Sequence, residues 1–111
     1  MRIAILILNR NLPSATNKLV EHLKIYDQQK NIFVIEAGSD ENKLSKYCTW
    51  NVQNKEVKLK GLRYSRGMNY GLLKLWKSKK WKKYDAFFLL TNDTEFEKKD
   101  SISKLKNYLL K

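Results

Sequence analysis

The chain has 111 residues, 42% of them apolar, which is enough for one folded domain with a core of its own. Its 23 basic against 11 acidic residues give a net charge of +12, a field that attracts nucleic acid, acidic lipid headgroups or a phosphate-bearing substrate. The apolar runs are too short to span a bilayer, and a single cysteine and a single histidine exclude an internal disulfide and zinc sites of the Cys/His type.

Met1-Arg2 leads directly into the first apolar run, which is too short for a signal-peptide core. A cytoplasmic location is expected, with the lone Cys48 in a reducing compartment. Most of the basic excess is lysine, a hydrated point charge common on plain solvated faces.

Ile3–Leu8 is a continuous, mostly β-branched run and predicts a strand buried on both faces, as in parallel sheets. Pro13 suits the first turn of a helix, and Leu19, Val20, Leu23 and Tyr26 then recur at helical spacing. Asn31–Glu36 predicts the second strand, stopped by Gly38-Ser39-Asp40. Val57–Tyr64 alternates in polarity and predicts a half-exposed third strand. A second helix is expected from Arg66 to Lys79, with Met68, Leu72, Leu75 and Trp76 on its inner face. Ala86–Leu90 predicts a fourth, buried strand, and Asp100-Ser101 opens a last helix.

Strands alternating with helices imply right-handed crossovers. The expected fold class is therefore α/β: one domain over residues 1–111, with an open, mostly parallel sheet and helices on both faces. In such sheets ligands bind beyond the carboxyl ends of the strands. Polar clusters follow three of the expected strands: Asn9-Arg10-Asn11, Glu36 to Asp40, and Thr91 to Glu95. All three converge on one edge.

Asp93 and Glu95 bring oxygen ligands close together at a strand end, which suits Mg²⁺ or Mn²⁺. The alternative is that Asp93 caps a turn and Glu95 is a surface charge. Glu36 has the place of the acidic residue that takes a ribose or base in nucleotide-binding sheets, against a plain solvated carboxylate. Gly38 permits a tight turn or a close backbone approach. Arg66 and the helix start beside it favour a phosphate, and Gly67 and Gly71 imply close approach by a ligand or a neighbouring element. The stretch from Lys74 to Tyr84 interleaves lysines with aromatics. It reads either as a nucleic-acid or anionic-membrane surface, or as a helix end whose lysines complement the macrodipole while Trp76 joins the core.

Leu89-Leu90-Thr91-Asn92-Asp93-Thr94-Glu95-Phe96 resembles the L-L-N-N-D-T-E segment of rhamnosyltransferase-like members of glycosyltransferase family 2. Leu6–Asn11 resembles that family's first strand and loop, and Ile35–Asp40 its V-D-D-G-S-T-D-like second segment. Gly67-Met68-Asn69-Tyr70-Gly71 resembles the end of its N-x-G-x-x-x-x-N-x-G segment. Ala37 departs from the second acidic residue of the strand-two motif, and Arg63 from the first glycine of the third.

The resemblance implies a GT-A, Rossmann-like fold that binds a nucleotide-diphosphate sugar with Mg²⁺ or Mn²⁺. It would transfer the sugar to a saccharide or lipid-linked acceptor in polysaccharide biosynthesis. By position, Glu36 would contact the base or ribose, Asn9, Asn69 and Asn92 would line the pocket, and Asp93, followed by Glu95, would bind the metal of a DXD-like motif. Family members continue beyond this loop through elements that hold the acceptor and the catalytic base. The expectation is thus a truncated, donor-binding half, with no residue assigned as base, in which a shortened sheet favours a homodimer. The reading from another class is a non-enzymatic basic module for nucleic acid or anionic membrane. Peripheral contact at the cytoplasmic membrane face is compatible with either reading, and nucleic acid is the least favoured partner.

Overall fold

The computed structural model describes residues 2–26, 29, 31–92 and 101–109. The first apolar run forms β1 (Ile3–Asn9), in which Ile3 to Ile7 are all buried, as expected of a strand covered on both faces. Pro13 opens α1 (Pro13–Ile25), which buries Leu19, Val20 and Leu23. The second run forms β2 (Ile32–Ala37), and β3 (Cys48–Val52) follows after a 3₁₀ turn at Glu41–Lys43.

The third strand therefore lies earlier than the alternation of Val57–Tyr64 predicts. Residues Lys55–Lys60 instead form the short helix α2. Its two ends explain the difference. The Asn54 side chain accepts the Val57 backbone N–H at its start, and Gly61, at φ 72°, closes its end by donating to the Val57 carbonyl at 2.7 Å. Within α2, Val57 is buried and Leu59 is 73% exposed, so the two apolar residues do not share a face as strand alternation would require.

Next come α3 (Tyr64–Lys77), a 3₁₀ turn at Lys80–Lys83, β4 (Ala86–Thr91) and α4 (Ser101–Leu109). Trp76 does not join the core; it stands 59% exposed on α3. Nor is β4 the buried strand that its apolar run predicts: it lies at the edge of the described sheet, its apolar residues are half-buried, and Leu89 is exposed. The described strands form one sheet in the order β3-β2-β1-β4, and every pairing is parallel. Among the described residues no helix is long and apolar enough to cross a membrane.

Two cores flank this sheet. Ile3, Ile5 and Ile7 pack with Val34 against Leu19, Val20 and Leu23 of α1 and Ile102 of α4. Ala4 and Leu6 pack with Ile35 against Val57 of α2 and Met68 and Leu75 of α3. The alternation along β1 thus assigns odd positions to the α1 face and even positions to the α3 face. Gly67 and Gly71 let α3 lie close to its face: a Cβ at Gly67 would meet Leu8 at 2.5 Å, and one at Gly71 would meet Leu6 at 2.7 Å. The close approach implied by these glycines is helix against sheet.

Candidate functional site

The chain runs from β1 outward to β2 and β3, then returns to place β4 on the other side of β1. The order reverses between β1 and β4, and the carboxyl ends of those two strands are where an open parallel sheet holds a ligand. Asn9 ends β1, Glu36 lies near the end of β2 in register with it, and Asn92 follows β4.

These residues meet. The Asn9 amide donates to both Glu36 carboxylate oxygens, at 3.0 and 2.8 Å. The Asn92 amide donates to Asn9 Oδ1 at 3.3 Å. That same oxygen accepts the Leu12 backbone N–H at 3.1 Å and the Thr16 hydroxyl at 2.9 Å, which fixes the start of α1. Asn9 thus stands in for a side-chain cap that Leu12 does not provide.

Glu36 is a junction of the same kind. Besides Asn9 it accepts the Ser39 hydroxyl at 2.8 Å and the Ser45 backbone N–H at 2.8 Å. Ser45 in turn donates its hydroxyl to Asn17 Oδ1 on α1 at 2.6 Å. Both Glu36 and Asn9 have no exposed surface. A buried carboxylate is tolerated when its lone pairs are met by donors, and here all of these donors are neutral. Asn11, in the left-handed region at φ 57°, ties the outer loops together. Its backbone N–H donates to Ser39 Oγ, and its side chain accepts from the Asp40 N–H at 2.7 Å.

The loops after β1 and β2 are thereby locked to each other and to α1. No family model, curated protein or solved structure matches the chain.

Asn9, Glu36 and Asn92 are brought together; Arg66 and Asn69 are not. Both of these sit on α3, against the opposite face of the sheet from Asn9 and Glu36. Arg66 is exposed and 4.0 Å from Glu56. Asn69 borders an apolar groove with Leu72, Trp76 and Phe87. Asp93 and Glu95 lie outside the described residues. Among the described residues no group of three or more His, Cys, Asp or Glu side chains is placed to hold a metal ion. The Glu36 oxygens are already engaged by Asn9, Ser39 and Ser45, so Glu36 does not fit that role.

Arg10 is a residue whose role the sequence left unassigned. Its guanidinium donates to the carbonyls of Ala37 at 2.7 Å, Val57 at 2.9 Å and Lys58 at 3.2 Å. It binds the carbonyl end of α2, where a cation is favoured, and joins that end to the β2 loop. Gly38, at φ 76°, makes room for the same contact, since a Cβ there would lie 2.3 Å from the Val57 carbonyl oxygen. Cys48, on β3, has its thiol pushed above the ordinary range by burial and, second, by the Glu36 carboxylate. A thiol held protonated is a poor nucleophile.

Proposed function

We propose that the chain is a glycosyltransferase-like, GT-A-type domain that binds a nucleotide-diphosphate sugar at the carboxyl edge of its sheet. The observation that carries this reading is the meeting of Asn9, Glu36 and Asn92 at the point where strand order reverses. The motif-bearing loops after β1, β2 and β4 are the ones that the resemblance to glycosyltransferase family 2 assigns to the donor.

The buried network changes the division of labour within that proposal. Glu36 acts as a positioning residue that fixes the loops after β1 and β2, since its carboxylate has no exposed surface to offer a ribose or base. Direct donor contact falls to backbone groups and to side chains that reach the edge from the β4 side, beginning with Asn92. The metal proposal, Mg²⁺ or Mn²⁺, rests on Asp93 and Glu95 alone, whose carboxylates supply the hard oxygen ligands such an ion takes. When bound, the ion would neutralise the diphosphate. The acceptor would be a saccharide or a lipid-linked saccharide.

Titration calorimetry of the full chain with UDP- and dTDP-sugars, with and without Mn²⁺, tests the reading. Metal-dependent binding is expected, weakened about tenfold or more by Asp93→Ala. A folded chain that binds none of these donors, or binds them equally without metal and in the Asp93→Ala variant, would refute it.

A further inference from the structure

The second half of α3 and the turn after it present a surface that the donor site does not use. Leu73, Trp76 and Trp81 are exposed at 51%, 59% and 39%. With Leu72, Phe87 and Asn69 they line an open groove of about 430 Å³. The same stretch of chain carries Lys74, Lys77, Lys79, Lys80, Lys82 and Lys83, all exposed, with no acidic residue between Lys74 and Tyr84. Complementing the helix dipole accounts for lysines in the last turn, Lys74 and Lys77, because that effect fades within a turn. It does not account for the four lysines beyond the helix end.

The Lys80–Lys83 turn also borders a second cavity of about 390 Å³. Its lining includes Arg2, Lys80 and Lys83 together with Tyr84 and Asn31. Asp85 is the nearby acidic group, and its carboxylate accepts the Arg2 backbone N–H at 2.8 Å. One short turn therefore contributes Trp81 to an apolar groove walled by tryptophan and leucine, and Lys80 and Lys83 to a cationic cavity of headgroup size.

We propose that this surface docks on an anionic lipid bilayer, with Leu73, Trp76 and Trp81 at the acyl-chain boundary and a lipid phosphate in the Arg2–Lys80–Lys83 cavity. Tryptophan prefers the level of the headgroups, and lysine stems cover apolar surface while their ammonium groups reach the phosphates. Nucleic acid fits this surface less well. A single strand needs aromatic faces spaced along a polar, basic track, whereas here both tryptophans share apolar walls with leucines and Phe87. The inference does not depend on donor binding, because none of these residues belongs to the Asn9–Glu36–Asn92 network.

Flotation of the full chain with vesicles tests it, comparing pure phosphatidylcholine with phosphatidylcholine containing phosphatidylglycerol. Binding is expected only to the anionic vesicles. It should weaken as salt rises and shift tryptophan emission to the blue, with quenching by brominated acyl chains. Lys80→Gln with Lys83→Gln should lower the apparent affinity about 25-fold, taking about fivefold for each lysine near an anionic surface. Leu73→Ser should remove much of the blue shift while the melting temperature, read by circular dichroism, is held. Equal binding to both vesicle types, or an unchanged affinity in the lysine variant, would overturn the proposal. So would tight binding to polyuridylate without flotation, which would reassign the surface to nucleic acid.

Discussion

Removing the Glu36 carboxylate separates a structural junction from a ligand contact. In Glu36→Ala the Asn9 amide, the Ser39 hydroxyl and the Ser45 backbone N–H all lose their acceptor. A hydrogen bond to a charged group is worth about 1.5–3 kcal/mol net, and a buried donor left unmet costs about 1–3 kcal/mol. Three such donors, discounted for water entering the space left behind, cost about 3–5 kcal/mol. Domain stabilities lie at about 5–15 kcal/mol, so the variant would stand close to unfolding. With a urea slope of about 1.5 kcal/mol/M, the midpoint should fall by about 2–3 M. Glu36→Gln should cost less, about 1–3 kcal/mol, because one oxygen still accepts from Ser45, the Ser39 hydroxyl can rotate, and only the Asn9 amide meets another donor. Urea titration followed by circular dichroism, with the slope checked for constancy, reads both values. An Ala variant within about 1 kcal/mol of the parent would refute the reasoning. It would return the carboxylate to the ligand.

The same junction predicts that Asn9→Asp is harmful at neutral pH, since it sets a second carboxylate against Glu36 where an amide now donates at 2.8 Å. One carboxyl of that pair would be forced up, so the variant should be steadier in acid and lose stability as pH rises above about 4, the ordinary carboxylate range. Thermal melts across pH read this, and a pH-independent loss would count against it. Gly38→Ala should cost more than about 2 kcal/mol, because it adds a left-handed penalty to a Cβ placed 2.3 Å from the Val57 carbonyl oxygen. A neutral result in a urea melt would mean that α2 is not seated on this loop. Cys48 should react with iodoacetamide more slowly near neutral pH than a free thiol, with its inflection moved to higher pH by burial and then by Glu36. An inflection at the free-thiol value would contradict this.

Much of the fold was legible because the decisive residues were apolar runs. Ile3–Leu8 and Ala86–Leu90 both became parallel strands, and helices between them force crossovers. Only the first is buried on both faces, because an apolar run does not say whether its strand is central or, like β4, at the edge of the described sheet. The error at Val57–Tyr64 arose because a six-residue helix and a strand both show a few apolar residues at short spacing. The deciding signals were the caps, Asn54 and Gly61, rather than the periodicity. The convergence of Asn9, Glu36 and Asn92 followed from topology. Their burial was also readable, in principle, from parity. Asn9 continues the series Ile3, Ile5, Ile7, and Glu36 shares its face with Val34, so both side chains turn under α1. Arg66 and Asn69 belong to a helix on the opposite face. A linear motif does not reveal this, because motif order records sequence and not which side of the sheet a crossover takes. The Arg10 contact with the end of α2 needed that helix to be known first.

The two proposals constrain each other through the direction of the strands. Arg2, Asn31 and Tyr84 precede β1, β2 and β4, so the cationic cavity lies at the amino edge of the sheet. Asn9, Glu36 and Asn92 lie at its carboxyl edge. A strand of six or seven residues, at about 3.3 Å each, separates these edges by about 20 Å. A chain docked by its amino edge would hold the donor loops clear of the headgroups, which favours an acceptor saccharide that extends from the bilayer over one joined directly to a lipid phosphate. Donor affinity should then be the same with and without anionic vesicles at equal free Mn²⁺. Donor binding lost on the vesicle would show that the docking face and the carboxyl edge share surface, and would break the assignment of the two functions to opposite edges of one sheet.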